Sequence, residues 1–422
     1  MKYYDYDLLP FKIYVLKTDR FKTVSVQINF TRKVKEDEIT KRNVLCGLLG
    51  STTKNYPKER FMSMKRQELY SAGFSCGNVN SAGEATIRFQ TDYLNEKYTE
   101  EGMQKETLDF FISMIMEPNV TDGKFDEEQF HLVKNRVKKN ILRSMENLRY
   151  KADRRLLEIM CKDTSLAYSS YGTLEDLEKL TNEEVYQYYL DVLQKDYVDI
   201  FVCGDVDPEK IKDYFLEHLK IKTMKKPMLF QPIVFKDIRK RARTVVEKIE
   251  AEQSNLVVGF KIDSLTPFER DYVSMVYSQI LGGNSNSKLF RIIREKHSFC
   301  YSIQSAVYGL DHVMLIRAGI DRKNFKKTVE YIKKLCKEMA SGKFTEQDVQ
   351  NYIQLYYYSL DEIYDEPNSL ISVYRGHIHR HSDLIDERKE NVQKVTKEMV
   401  VKFAKKVHLD TIYLLEGGKE HE

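Results

Sequence analysis

The feature that most constrains this chain is that it says nearly the same thing twice. KFDEEQF at 124–130 returns as KFTEQDV at 343–349, 219 positions later. SAGFSC at 71–76 lines up with KHSFC at 296–300 at a shift near 225, and ATIRFQTD at 85–92 with MLIRAGID at 314–321 at a shift of 229. Late in each half, TNEEVYQYYLDVLQKDYVDIFVCGD (181–205) parallels TKEMVVKFAKKVHLDTIYLLEGG (396–418), displaced by about 215. Blocks that keep their order at a nearly constant displacement imply a duplicated unit. A length of 422 residues agrees, because single cores stop growing at roughly 250–300 residues. The expected layout is a first domain over 1–217, a linker over 218–245 that holds Pro227, Pro232 and the basic run IRKRAR, and a second domain over 246–422.

Within each unit, strand and helix periods alternate. TVSVQINF (23–30) and ATIRFQ alternate with period two, as strands with one buried face do. ETLDFFISMIM (106–116) spaces Leu108, Phe111, Ile112 and Ile115 at helical intervals and stops before Pro118. Thr181 with Glu184 reads as a capping box, and Thr396 opens the equivalent helix of the second half. Strands joined by long helical excursions predict an α+β class: two homologous α/β sandwiches, each an antiparallel-type sheet covered by helices.

Composition narrows the function. Hydrophobic residues at 42% and charged residues at 31% describe a soluble globular chain. No run approaches the roughly 18 apolar residues that span a bilayer. The start, MKYYDYDLLPFKIYVLKTDR, lacks the pattern of a secretory signal. The six cysteines are scattered without a Cys-x-x-Cys pair, so reduced thiols and a cytoplasmic location are expected. A net charge of +4 is slight, and IRKRAR lacks the aromatic partners of a single-strand binder, so nucleic acid is not expected as a partner.

ILGGNSNSKLFRIIREKHSFCYSI (280–303), with its two glycines, Ser-x-Leu-Phe start, Arg-Glu-Lys and Tyr-Ser, closely resembles the second-half signature of the insulinase or pitrilysin peptidases of the mitochondrial processing peptidase type. GDVDPEKI at 204–211 is similar to that family's exit from its first domain, and the likeness covers nearly the whole chain. It implies two homologous α+β domains forming one half of a clamshell that encloses a chamber. The family's catalytic signature is His-x-x-Glu-His, in which two histidines one helical turn apart hold zinc while the glutamate activates the metal-bound water. Here the matching stretch is RNVLCGLLGSTTKNYP (42–57), and alignment through Lys-Asn-Tyr-Pro puts Asn43, Cys46 and Gly47 where His, Glu and His belong. The third ligand, a glutamate in the resemblance, falls near Asn140 by a looser alignment. Losing every ligand and the general base predicts no zinc in this chain, and no cofactor of its own.

The resemblance also implies that Arg294 and Tyr301 bind substrate backbone. A guanidinium and a phenolic hydroxyl both donate to a peptide carbonyl and would stabilise charge developing on its oxygen. The plainer reading makes Arg294 a surface ion pair with Glu295 or a neighbour and Tyr301 a packed ring. Other motifs carry less. His377 and His381 in HIHRH stand at i, i+4 spacing with His379 on the other side, but no acid or cysteine completes a tetrahedron, which favours a solvated helix end. LGGNSNSK lacks the Gly-Lys-Ser/Thr ending of a phosphate loop. Tyr352 and Tyr356 read as packing, and Cys46 has no histidine close in sequence to activate it.

Taken together, the expectation is the non-catalytic, peptide-binding subunit of a heterodimeric zinc endopeptidase. Its partner would be a paralogue with intact His-x-x-Glu-His that holds the zinc. The alternative is a stand-alone pseudopeptidase that binds peptides or acts as a scaffold.

Overall fold

The structure, a computed structural model, describes residues 1–221, 233, 235 and 238–418, so most of the expected linker over 218–245 lies outside the described residues. In the first half, β1 (Lys2–Asp7), β2 (Lys12–Lys17) and β3 (Thr23–Lys33) lead into α1 (Glu36–Ser51), α2 (Glu59–Glu68), β4 (Gly73–Ser81), β5 (Glu84–Leu94) and α3 (Met103–Met116). A short ribbon of β6 (Val120–Thr121) and β7 (Lys124–Phe125) precedes α4 (Glu127–Glu146), α5 (Leu148–Met160), α6 (Leu174–Lys179), α7 (Asn182–Lys195), β8 (Tyr197–Gly204) and α8 (Pro208–His218). The second half runs through β9 (Arg243–Glu250), β10 (Ser254–Ile262) and α9 (Ser274–Ser278), the last flanked by π-helical turns. It continues with β11 (Cys300–Tyr308), β12 (Val313–Ile320), α10 (Phe325–Ala340), α11 (Glu346–Glu362), α12 (Pro367–Arg380), α13 (Ile385–Val392), α14 (Lys397–Lys405) and β13 (Val407–Gly418). Local signals hold: Thr181 and Glu184 close a capping box on α7, and the Thr396 hydroxyl accepts from the Met399 amide to start α14.

The fold is a pair of α/β sandwiches. One sheet has the order β1-β2-β8-β3-β5-β4 and the other β11-β12-β10-β13-β9. Each is mostly antiparallel with one parallel pair, β2 with β8 and β13 with β9. The two compact units are not consecutive blocks: residues 144–168 of the first half belong to the second unit, and 363–380 of the second half to the first. The repeated helices α5 and α12 have therefore exchanged sheets.

That exchange explains why β3 departs from its expected single buried face. Val24, Val26, Ile28 and Phe30 enter the core beneath the helices, while Ser25, Gln27, Asn29 and Thr31 point the other way and are buried too. The polar face is covered by α12, whose Asn368 accepts from Gln27 at 3.0 Å and donates to Asp92 at 2.9 Å. His379, expected at a solvated helix end, is instead buried, with Nε2 2.7 Å from Asp199 Oδ2. Asn29 donates to the other oxygen of that carboxylate at 2.8 Å. The reason is geometric: His379 lies opposite the exposed His377 and His381, and that opposite side of α12 meets the sheet. In the second unit α5 docks by apolar contact instead. Ala152, Leu156 and Met160 pack on Val257, Leu315, Tyr413 and Leu415, and Gly259 leaves the room, since a Cβ there would lie 2.6 Å from the Met160 sulfur.

Burial disfavours the charged form of Asp199, yet the hydrogen bond and charge of His379, with Arg375 and Asn29, outweigh it and hold the carboxyl below its ordinary value. A carboxyl lowered by folding stabilises above its unfolded pKa of about 4, and that stability is lost as the pH falls through the folded value. His379→Ala, which strands a buried carboxylate, is expected to cost about 3–5 kcal/mol at pH 7 in urea unfolding. Asp199→Asn is expected to flatten the decline in stability on acidification, and an unchanged acid limb would contradict this account of the pair.

Candidate functional site

Helix α1 carries the positions that match the zinc signature. It opens on Glu36, Asp37 and Glu38, acids suited to a helix N-terminus, and is buried on most of its circumference. Within it Arg42 has no solvent access. Its Nη2 donates to the carbonyls of Phe30 (3.0 Å) and Ala85 (3.2 Å), tying α1 to β3 and β5. Nη1 donates to the Tyr188 hydroxyl at 3.1 Å, and both Nη atoms reach Asp196 Oδ2 at 3.2 Å. Arg32 takes the other Asp196 oxygen, and the Tyr188 hydroxyl donates to Glu38 at 2.8 Å. Two guanidiniums thus share one buried carboxylate.

The same arginine organises position 43. Arg42 Nε donates to Asn78 Oδ1 of β4 (3.3 Å), Asn78 Nδ2 donates to Asn43 Oδ1 (3.3 Å), and Asn43 Nδ2 donates to the Ser170 carbonyl (3.0 Å). The amide at the first ligand position is a link in a hydrogen-bond chain. One turn on, Cys46 is buried and faces Cys76 of β4; burial, then the contact with Cys46, raises the Cys76 thiol well above its ordinary value. Gly47 faces α4, where a Cβ would lie 2.5 Å from Val133 Cγ1. Asn43, Cys46 and Gly47 are thus brought together on α1, but Asn140 is not among them. It lies on the exposed side of α4, and the residue that meets Gly47 is Val133, nearly two turns earlier.

These residues do not fit zinc, which takes imidazole, thiolate or carboxylate ligands at about 2.0–2.3 Å. The Asn43 amide is engaged on both ends, a valine methyl fills the space at Gly47, and burial holds the Cys76 thiol beside Cys46 in its neutral form. Among the described residues no group of three or more His, Cys, Asp or Glu is placed to hold a metal ion.

Arg294 and Tyr301 lie in the second unit, and both are exposed. Arg294 sits on the helical turn Phe290–Lys296 with its guanidinium 4.5 Å from the Phe290 ring centre, and it meets no carboxylate among the described residues. Burial pushes the Cys300 thiol up to about 11 while the Arg294 charge pulls it down, which places that charge near the start of β11. Tyr301 is the residue skipped in the β11–β12 register, where Cys300 pairs with Ile320 and Ser302 with Gly319. Such a bulge re-aims a side chain, and Tyr301 is 60% exposed. Its hydroxyl donates to Asp321 at 2.8 Å, a bond that raises the phenol's pKa. Tyr352 and Tyr356 pack against the second core.

A further feature escapes motif reading. Each sheet has one charged edge, β1 (KYYDYD) or β9 (RTVVEKIE), and one edge without a single charge, β4 (GFSCGNVNS) or β11 (CYSIQSAVY). Natural edges are usually blunted by charges. The uncharged ones are the repeat equivalents: β4 flanks Asn43 and Cys46, and β11 carries Tyr301.

A sandwich pair with this degenerate helix is the architecture of M16-like peptidase folds, and the chain is similar to inactive M16 peptidase homologues. The family model "Peptidase M16 inactive domain" matches residues 179–356. The chain is 27% identical over 408 residues to "Probable inactive metalloprotease YmfF" of Bacillus subtilis (strain 168), covering 96% of this chain and 95% of that one. Its fold matches that of a conserved protein from Enterococcus faecalis V583 over the whole of both chains, with a TM-score of 0.94 at 24% identity. It likewise matches a peptidase M16 inactive domain from Pseudomonas fluorescens over both whole chains, with a TM-score of 0.81 at 13% identity.

Because Val133 occupies the space a side chain at 47 would need, Gly47→Ala is expected to destabilise by about 1–3 kcal/mol, the range of overpacked cores. Val133→Ala should recover part of that loss in the double variant, a coupling read from chemical denaturation of the four proteins. Additive losses would show that the two positions do not share the space.

Proposed function

We propose that the chain is the non-catalytic, substrate-binding subunit of a heterodimeric zinc endopeptidase that acts on peptides. The observation that carries this reading is that α1 keeps the frame of the zinc helix while its ligand positions serve other bonds: Asn43 in an amide chain, Cys46 against Cys76, Gly47 against Val133. In this reading the chain has no metal of its own, and the metal and its activated water come from a partner with intact His-x-x-Glu-His. This chain contributes donors and backbone. Arg294 and Tyr301 present a guanidinium and a phenol to a substrate carbonyl, where they stabilise charge that develops during attack. An extended peptide adds to an uncharged edge strand, β4 or β11, through main-chain hydrogen bonds. Among the described residues no helix is long and apolar enough to cross a membrane, and all six cysteines are free, which supports a reducing cytoplasm as the place of action.

The test is reconstitution. A quenched-fluorescent peptide is expected to be cleaved by neither this chain nor a His-x-x-Glu-His paralogue alone and to be cleaved by the two mixed, with zinc residing in the paralogue. Arg294→Ala should fold normally and lower kcat/KM of the pair at least tenfold, about 1.4 kcal/mol of transition-state stabilisation. Full turnover in that variant removes the arginine from the substrate role. Peptide binding with no activity in any pairing favours the stand-alone pseudopeptidase.

A further inference from the structure

Helix α4 turns Val133, Val137 and Ile141 into the core and an unusual face outward. From Gln129 to Met145 it carries no carboxylate but holds His131, Lys134, Arg136, Lys138, Lys139 and Arg143. Lys134 is spent on the carbonyls of Glu178 and Leu180, and Arg136 on Glu59 at 2.6 Å and on the Ser51 hydroxyl of α1. Lys138, Lys139 and Arg143 reach no carboxylate among the described residues. At about 100° per residue, Leu132, Arg136, Lys139 and Arg143 follow one another along the outer stripe, with Leu142 beside it. Leu132 is 48% exposed and Leu142 39%. Apolar side chains standing in water among unneutralised cations form a surface with a definite complement.

We propose that this face of α4 selects acidic peptides, chains of Asp and Glu interspersed with apolar side chains. The proposal rests on the substrate-binding reading above and adds the substrate's charge. Cations without internal partners keep their field for a ligand, and a peptide that alternates acid and apolar residues meets both the ammonium and guanidinium groups and the leucines. Nucleic acid fits less well, because the exposed face offers no Phe, Tyr or Trp ring for a base to stack on, Phe130 being buried and His131 the one exposed ring. The location supports the peptide: α4 is the helix whose Val133 closes the space at Gly47 and whose Arg136 holds the end of α1.

The experiment uses the full chain and fluorescence anisotropy with two labelled peptides of equal length and identical apolar positions, one carrying Glu and the other Lys at the charged positions. The acidic peptide is expected to bind at least tenfold tighter at low salt. That advantage should shrink as salt rises, because the contacts are exposed charges. The variant Lys139→Glu/Arg143→Glu changes two exposed side chains and is expected to remove the acidic preference while its thermal melt stays unchanged. Equal binding of both peptides overturns this proposal and leaves the substrate-binding reading standing. Binding of neither overturns both, and tighter binding of a thymidine oligonucleotide than of the acidic peptide shows a general polyanion surface and overturns the peptide assignment.

Discussion

Arg42 places a full positive charge where water does not reach, and the first unit is arranged to make that tolerable. An unpaired buried ion would cost several kcal/mol, so every direction in which the guanidinium can donate is answered: two strand carbonyls, a tyrosine hydroxyl, an asparagine and the Asp196 carboxylate. Because those acceptors come from β3, β4, β5, α7 and the α7 C-cap just before β8, satisfying one side chain fixes the position of α1 against the sheet. Arg32 and Glu38 extend the network towards the surface, where charge is cheaper to hold. The order at Asn43 and Asn78 follows from that requirement.

The degenerate helix is not a catalytic site with pieces missing. A histidine at 43 would leave Asn78 without its amide partner, and any side chain at 47 would have to displace Val133. Regaining metal would mean rebuilding the contact of α1 with both β4 and α4. The ligand positions have become packing and hydrogen-bonding positions. The second unit shows no matching conversion at Arg294 and Tyr301, which remain in solvent, one over a phenylalanine ring and the other lifted by a bulge.

Much of this was legible in the sequence because it is local. Period-two strands, the Thr181 and Thr396 caps and the helix ending before Pro118 depend on neighbours a few residues away, and the duplication on simple likeness. What was not legible depends on partners far along the chain. The alternation of β3 shows that its two sides differ, not that a helix more than 300 residues later covers the polar one. HIHRH drew attention to His377 and His381 through their spacing, while the buried member was His379. Asn140 was placed by a looser alignment within a long helix, and only the structure shows that it lies on the exposed side of α4 while Val133 meets Gly47. Arg42, next to Lys41 and ahead of an apolar run, looks in the sequence like an ordinary helix charge, and only its surroundings reveal it as buried.

The exchange of α5 and α12 has a consequence for the chain as an object. Each repeat manufactures a lid for a sheet it does not own, so a polypeptide cut to a single repeat would be left with the wrong cover. Released from α5, the second sheet would present Val257, Leu315, Tyr413 and Leu415 to water as one oily plate, a surface inviting self-association. Duplication here is an obligation: neither copy is a module that could be lifted out and carried elsewhere.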